Sequence, residues 1–339
     1  MTKMMKAAVF YGKHNVKVEE VPVPEVKENE VLIKVAYCGV CGTDVHIYEG
    51  DKGCAEVHPP KILGHEFSGV IVELGKGVTN RTVGDRVTVD PNVLCDSCPA
   101  CLSAKGHFCE HMTGIGTMVN GGFAEYVAVP VKQTHLVNAK TELIKAAMTE
   151  PLACCLHGID MCNITAGDSV AVIGAGMIGL IMVQLARISG AGYIAVIEPV
   201  ETKRKSALAL GADEAFSPAE ISEDELKAKN FNCVIECAGL IKTIEQAVRI
   251  AGNKATVMMF GLTKPDDAVS LKPYDLFVKE LTLKTSYINP YTQARALKLI
   301  ENGRVDVSSM VQPAIKLEEL ADVLASAEKR AKGKFVVAL

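Results

Sequence analysis

Hydrophobic positions change their spacing once along this chain. Up to about residue 130 they fall in short β-branched runs at 6–11, 16–21, 31–36, 67–74, 85–89 and 122–130. In VLIKVA (31–36) apolar and polar residues alternate, which puts one face toward a core and predicts a strand. Gly12-Lys13-His14-Asn15 reads as the turn between the first two runs. Pro22 and Pro24 keep the next segment out of central sheet, because proline has no N–H for the ladder. These runs predict a mostly β region, closed or partly closed.

Near residue 140 the period becomes helical, over 141–157. Strand runs at 169–173, 194–197, 233–237 and 256–260 then alternate with helical ones at 203–210 and 241–250. That alternation predicts a parallel sheet with crossover helices. Two more helices, 291–301 and 317–331, and a last strand, 333–337, complete the pattern.

Composition narrows the class without altering this picture. A chain of 339 residues, 49% hydrophobic and 22% charged, predicts two domains with cores that need no disulfide. A net charge of −4 argues against a nucleic-acid binder, which carries a basic excess. The N-terminal segment has no apolar run of signal-peptide length. The longest apolar run, 171–186, holds three glycines and Gln184 and is shorter than the ~20 residues a membrane span needs. With twelve cysteines, these features predict a soluble cytoplasmic protein with metal or thiol chemistry.

Three groups of residues carry candidate chemistry. The first is Gly174-Ala175-Gly176-Met177-Ile178-Gly179, a G-x-G-x-x-G loop that follows an apolar strand and opens an apolar helix. Gly174 would make the tight turn and Gly176 would let the backbone approach a pyrophosphate at the helix N-terminus. Gly179 would permit close helix–strand packing. Glu198, 24 positions beyond Gly174, ends the next strand and would accept hydrogen bonds from an adenosine ribose, favouring NAD over NADP. Lys203 and Arg204 pull toward a 2′-phosphate. The expected cofactor contacts are Gly174, Gly176, Ile178, Gly179, Glu198 and Lys203, with Phe260, Gly261 and Ser286 further along.

The second group is Cys95, Cys98, Cys101 and Cys109, four thiols within fifteen positions that fit a tetrahedral structural zinc. An iron–sulfur run closes with three intervening residues before its fourth cysteine, whereas seven stand here. A redox CxxC belongs after a strand in a thioredoxin-like unit. The third group is the stretch 37–69, with Cys41, Thr43, Asp44, His46, His65 and Glu66. Cys41 and His65 suit a catalytic zinc, which takes about three protein ligands and leaves a position open. Glu66 follows His65 directly, and Glu150 precedes Pro151 where the two halves of the chain join. Either carboxylate is a candidate third ligand. Cys38, Cys54, Cys154, Cys155, Cys162, Cys233 and Cys237 read as small buried hydrophobes.

Together, Cys41-Gly-Thr43-Asp44-x-His46, Gly64-His65-Glu66, the four cysteines, Glu150-Pro151 and the glycine loop resemble the zinc-dependent medium-chain dehydrogenase/reductase family. The resemblance covers essentially the whole chain. Glu150-Pro151-Leu152 is similar to the polyol (sorbitol, xylitol) branch, and 41–48 also to threonine and butanediol dehydrogenases. It implies a GroES-like β-barrel catalytic domain over 1–152, with a structural zinc lobe at 90–112. A Rossmann NAD domain would occupy 153–286, and 287–339 would return to the first domain. It further implies two zinc ions per subunit and a homotetramer, with a dimer as the alternative.

The implied reaction interconverts a secondary alcohol, such as a polyol, and its ketone by hydride transfer from a zinc-bound alkoxide to the nicotinamide. Thr43 and His46 would pass the proton out, Asp44 would orient His65, and Glu66 and Glu150 would share the third ligand position. Sorbitol dehydrogenases carry an Arg-Tyr pair where this chain reads Tyr287-Ile288-Asn289-Pro290, a departure that argues against a simple sorbitol dehydrogenase; substrate contacts are expected around Tyr48, Phe108 and Tyr287 to Asn289. A non-catalytic protein that binds zinc and nucleotide is the alternative of another class.

Overall fold

The structure is a computed structural model that describes residues 3–51 and 57–339; Cys54 lies outside them. The chain divides into two compact units. One comprises Met1–Ala153, Gln293–Gly303 and Val307–Leu339, the other Cys154–Thr292 and Arg304–Asp306.

The first unit opens with β1 (Met4–Gly12), β2 (Asn15–Pro22) and β3 (Glu30–Gly39), followed by α1 (Gly42–Tyr48). Next come β4 (Lys61–Ile62), β5 (Glu66–Leu74), β6 (Arg86–Val89), β7 (Asn92–Val93), α2 (Pro99–Leu102), β8 (Thr113–Gly114), β9 (Tyr126–Pro130) and β10 (Thr134–Leu136). Helices α3 (Leu143–Ala147) and α4 (Thr149–Cys162) follow. Strand β2 lies at the edge of a three-stranded sheet β2-β1-β4, where its terminal Pro22 costs no ladder bond. The helical period over 141–157 is broken at Met148. Pro151 lacks an N–H, and its ring would clash with the carbonyl four residues back, at Ala147, where α3 ends.

The second unit continues with β11 (Ser169–Ile173), α5 (Met177–Ser189), β12 (Tyr193–Ile197), α6 (Glu201–Ala209), β13 (Glu214–Phe216) and α7 (Glu223–Ala228). It is completed by β14 (Phe231–Glu236), α8 (Ile241–Ile250), β15 (Ala251–Met259), α9 (Pro273–Lys279) and β16 (Thr282–Thr285). Its six strands are all parallel, in the order β13-β12-β11-β14-β15-β16. Their β-branched runs are buried on both faces, as parallel strands between helices require.

The chain ends with α10 (Gln293–Glu301), β17 (Ile315–Lys316), α11 (Leu320–Ala325), α12 (Ala327–Arg330) and β18 (Val336–Ala338). The expected single helix over 317–331 is divided at Ser326. That residue is extended (φ −108°, ψ 104°), and its hydroxyl accepts the Lys329 N–H at 3.2 Å, capping α12. Strand β18 pairs with β3 inside the first unit, in the sheet β10-β6-β5-β3-β18-β17. The core of that unit packs Ile33, Phe67, Ile71 and Phe123 against residues such as Val337. No helix among the described residues is long and apolar enough to cross a membrane.

Candidate metal centres and dinucleotide loop

Strand pairing assembles the mixed-donor cluster. β3 and β5 run antiparallel with Gly39 opposite Glu66, and β18 lies on the other side of β3 with Val336 opposite Gly39. Positions 39, 66 and 334 therefore meet. A Cβ on Gly39 would stand 2.1 Å from Glu66 Oε2 and 3.2 Å from Lys334 Cε, so only glycine leaves room there. In that space the Glu66 carboxylate forms a buried ion pair with the Lys334 ammonium. Burial opposes the charge on Lys334, but Glu66, followed by Cys41, outweighs it and raises its pKa.

Beyond β3, Cys41 caps α1, an element the hydrophobic pattern did not reveal. The Asp44 carboxylate folds back to accept the Cys41 N–H through Oδ2 at 2.8 Å. Asp44 Oδ1 lies 3.6 Å from His65 Nδ1, which leaves the other ring nitrogen for a metal. The ligand atoms of Cys41, His65 and Glu66 all lie within 4.8 Å of one another. Asp44 Oδ1 and His65 Nδ1 are buried and face one another, and Glu66 Oε2 faces the Lys334 ammonium, so each of the three has a charged or polar neighbour and the second ring nitrogen of His65 stays available. Burial lowers the His65 pKa, yet the Asp44 carboxylate and Cys41 sulfur outweigh it and hold the imidazole well above its usual range. A thiol, an imidazole and a carboxylate at this spacing fit a catalytic zinc.

The other expected site residues stand in differing surroundings. Thr43 is part-buried on α1, and His46 Nδ1 lies 3.3 Å from Asp51 Oδ2. Tyr48 is 7% exposed, packs into the core and sets its ring 5.1 Å from that of His14. Glu150 is buried in the first turn of α4 but is not among the three residues of the cluster. Tyr287 is part-buried and Phe108 is exposed.

Cys95, Cys98, Cys101 and Cys109 also bring their sulfurs within 4.8 Å of one another, and all four are free thiols. The backbone and hydroxyl of Ser97, then the Cys98 N–H, draw Cys95 down to about 5. Burial and the neighbouring thiols push Cys101 up to about 12. Four sulfurs within this distance of one another fit a tetrahedral structural zinc. Among the remaining cysteines, Cys38, Cys155, Cys162 and Cys233 are buried. Cys154 and Cys237 are half-buried, less enclosed than the reading of all of them as small buried hydrophobes expects.

In the second unit the glycine loop joins β11 to α5. Gly174 adopts φ +92°, and a Cβ on Gly179 would stand 1.9 Å from the Gly174 carbonyl oxygen. Glu198 is 5% exposed, and its carboxylate accepts the N–H groups of Ala175 (2.8 Å) and Val200 (2.9 Å), tying the end of β12 to the glycine loop. Arg204 donates to the carbonyls of Glu198 and Pro199, both at 2.8 Å, while Lys203 is part-buried on α6. Ile178 is part-buried in the first turn of α5, and Phe260 and Gly261 follow β15. Ser286 follows β16 with its hydroxyl buried and unpaired.

Sequence reasoning missed three residues at these sites. Lys334 carries no local motif; it is placed by its backbone hydrogen bonds to Met310 and Gln312 and by the pairing of the following β18 with β3. Asp51 is fixed by its N–H to the His46 carbonyl, at 2.8 Å. Glu236, at the end of β14, is fully buried, and an acidic residue closing an apolar strand was the signal available for it.

The profile of the alcohol dehydrogenase GroES-like domain matches residues 27–139, and that of the zinc-binding dehydrogenases matches 178–302. L-threonine 3-dehydrogenase of Bacillus velezensis is 35% identical over 309 residues, 89% of each chain. Sorbitol dehydrogenase of Halalkalibacterium halodurans is 35% identical over 326 residues, 93% of this chain and 94% of that one. The crystal structure of a zinc-binding dehydrogenase from Sinorhizobium meliloti bound to NADP superposes with a TM-score of 0.94 at 37% identity, covering 99% of this chain and 100% of that one.

Proposed function

This chain belongs to the zinc-dependent medium-chain alcohol dehydrogenase family, and on that premise we propose that it oxidises a polyol-type secondary alcohol to its ketone with NAD. The observation that carries the reading is the cluster of part-buried Cys41 with buried His65 and Glu66. Zinc would supply the Lewis acidity that lowers the pKa of a substrate hydroxyl, and the nicotinamide would take up hydride.

The chain's own residues would do the rest. Cys41, His65 and Glu66 hold the metal, with Glu150 as the alternative third ligand. Asp44 orients His65, and Lys334 balances the charge of Glu66. The Thr43 hydroxyl and the His46 imidazole carry the proton toward solvent. The loop of Gly174, Gly176, Ile178 and Gly179 takes the pyrophosphate, and Glu198 takes the adenosine ribose, with Lys203, Phe260, Gly261 and Ser286 as further contacts. Tyr48 and Tyr287 are assigned to the substrate region. Cys95, Cys98, Cys101 and Cys109 hold a second, structural zinc. The exposed Tyr274, Phe277 and Val278 on α9, beside edge strand β16, support assembly into a homo-oligomer, a tetramer by family resemblance.

The test is NADH formation at 340 nm with sorbitol, xylitol, galactitol, arabinitol, threonine and 2,3-butanediol. A polyol should give the highest kcat/KM. Threonine as best substrate would establish the second reading, which the 35% identity to a threonine dehydrogenase favours. No turnover with bound zinc and NAD would establish a non-catalytic binding protein. A higher kcat/KM with NADP would overturn the role given to Glu198. Light scattering of the purified protein reads the assembly state.

A further inference from the structure

The carboxyl ends of four parallel strands lie in register. Ile173 of β11 is opposite Glu236 of β14, Glu236 is opposite Met259 of β15, and Met259 is opposite Thr285 of β16. Glu236 is 0% exposed. Its Oε1 accepts the N–H groups of Ala238 (2.8 Å) and Gly239 (2.9 Å) and the Thr243 hydroxyl (2.8 Å). Its carbonyl oxygen accepts the N–H groups of Phe260 and Gly261, both at 2.9 Å. This one residue therefore ties the segment after β14 to the segment after β15.

The second carboxylate oxygen is different. Glu236 Oε2 has no hydrogen bond, and a Cβ built on Gly261 would stand 2.8 Å from it. No cationic side chain among the described residues pairs with Glu236. A buried carboxylate without a counter-charge is costly, so its presence points to a positive group that arrives with a ligand. The sheet order reverses between β11 and β14, which is where a doubly wound sheet takes a dinucleotide, one mononucleotide on each half. Glu198, at the end of β12, marks the adenosine half, which leaves β14 to β16 for the nicotinamide half. The segment held by Glu236 borders the glycine loop, since a Cβ on Gly174 would stand 3.3 Å from Ala238 N.

We infer that Glu236 is a positioning residue whose buried negative charge favours the oxidised, cationic nicotinamide ring over the reduced, neutral one. The inference rests on the dinucleotide reading above. It gives Glu236 a purpose beyond bracing two loops, because bracing alone would serve both redox forms equally.

The experiment measures Kd for NAD⁺ by calorimetry, for NADH by its fluorescence, and for ADP-ribose, which lacks the ring. E236Q keeps an oxygen to accept the three donors on Oε1 and removes the charge. Two unit charges about 10 Å apart at an effective dielectric near 20 to 25 are worth about tenfold in an equilibrium constant. The ratio of Kd for NAD⁺ to Kd for NADH should therefore rise about tenfold in E236Q, with ADP-ribose binding unchanged. Equal shifts for both redox forms, or no shift, would overturn the inference and leave Glu236 a brace. A second measurement needs no variant. The unsubstituted protein should bind NAD⁺ several-fold tighter than benzamide adenine dinucleotide, an analogue of similar shape whose ring carries no positive charge, and equal affinities would overturn the inference. Failure of the unsubstituted protein to bind NAD⁺, NADH and ADP-ribose alike would remove the dinucleotide reading and the inference with it, whereas an unmoved ratio removes the inference alone.

Discussion

Two clusters of metal donors occupy the same unit and are built in opposite ways. The four-cysteine lobe draws all its sulfurs from 95–109, and short local turns, with Cys98 capping α2, point them at one another. The mixed cluster takes Cys41 from the start of α1, His65 and Glu66 from the start of β5, and a balancing charge from Lys334 before β18. A site made of neighbouring thiols closes on itself and holds a loop. A site assembled across a sheet has donors of three kinds and depends on the whole β unit being folded.

The comparison breaks first if the two clusters fail to separate activity from stability. H65A, or C41S, should lower kcat/KM by at least about a thousandfold, the scale on which a lost metal charge is felt. Zinc content should fall by one ion per chain, with a small change in Tm. Loss of both zincs would show that the clusters are not independent.

The next largest effect concerns Lys334. In the metal-free protein K334M leaves the Glu66 carboxylate buried without its cation, which should cost about 3–5 kcal/mol of stability. E66Q added to K334M should restore most of that loss in urea unfolding. If the double variant is no better than K334M, the pair is not coupled, and Gly39 keeps room for something other than the ion pair.

How far each cluster was legible in the sequence follows from this difference. The lobe was readable because four cysteines at metal spacing need no distant partner. Cys41, His65 and Glu66 were readable by residue type, but the place of Glu66 beside Gly39 is set by the β3–β5 register. Lys334 was not readable, since one lysine in a charged C-terminal stretch carries no pattern. In the second unit the β-branched runs and glycine loop announced the parallel sheet. Helix α1 was hidden because Gly42, Thr43 and Val45 are weak helix formers, and it is held by Asp44 folding back on Cys41. The break at Met148 came from Pro151, whose effect falls four residues upstream of itself.

The lobe supplies the third prediction. C98S should release one zinc and raise the rate of proteolytic cleavage within 95–109 by roughly ten- to a hundredfold, since locally closed segments open without unfolding the rest. Activity should fall by much less than in H65A. Acid titration supplies the fourth. His65 is held well above its usual pKa by Asp44 and Cys41, so it is protonated in the metal-free cluster and zinc must displace that proton. Affinity at the mixed cluster should therefore fall as pH falls, by about tenfold per pH unit for each proton displaced. Competition with a chelator across pH measures it, and a flat profile would remove the ligand role of His65.

The smallest effects test the proton route on α1. His46 stands in the last turn of that helix, and its Nδ1 faces Asp51 Oδ2 at 3.3 Å. Asp51 is held in place by its own N–H to the His46 carbonyl. A ring so held can accept a proton from inside and release it to water, because His46 is part-exposed. H46Q should lower kcat by roughly tenfold on the acid side, where hydroxide cannot substitute for the imidazole, and the loss should shrink as pH rises. D51N keeps the ring and weakens only its orientation, so it should cost roughly two- to fourfold, with the same pH dependence. An equal loss at all pH values in H46Q would mean that the imidazole packs the helix end and passes no proton. A D51N loss larger than that of H46Q would move the proton route from the ring to the carboxylate.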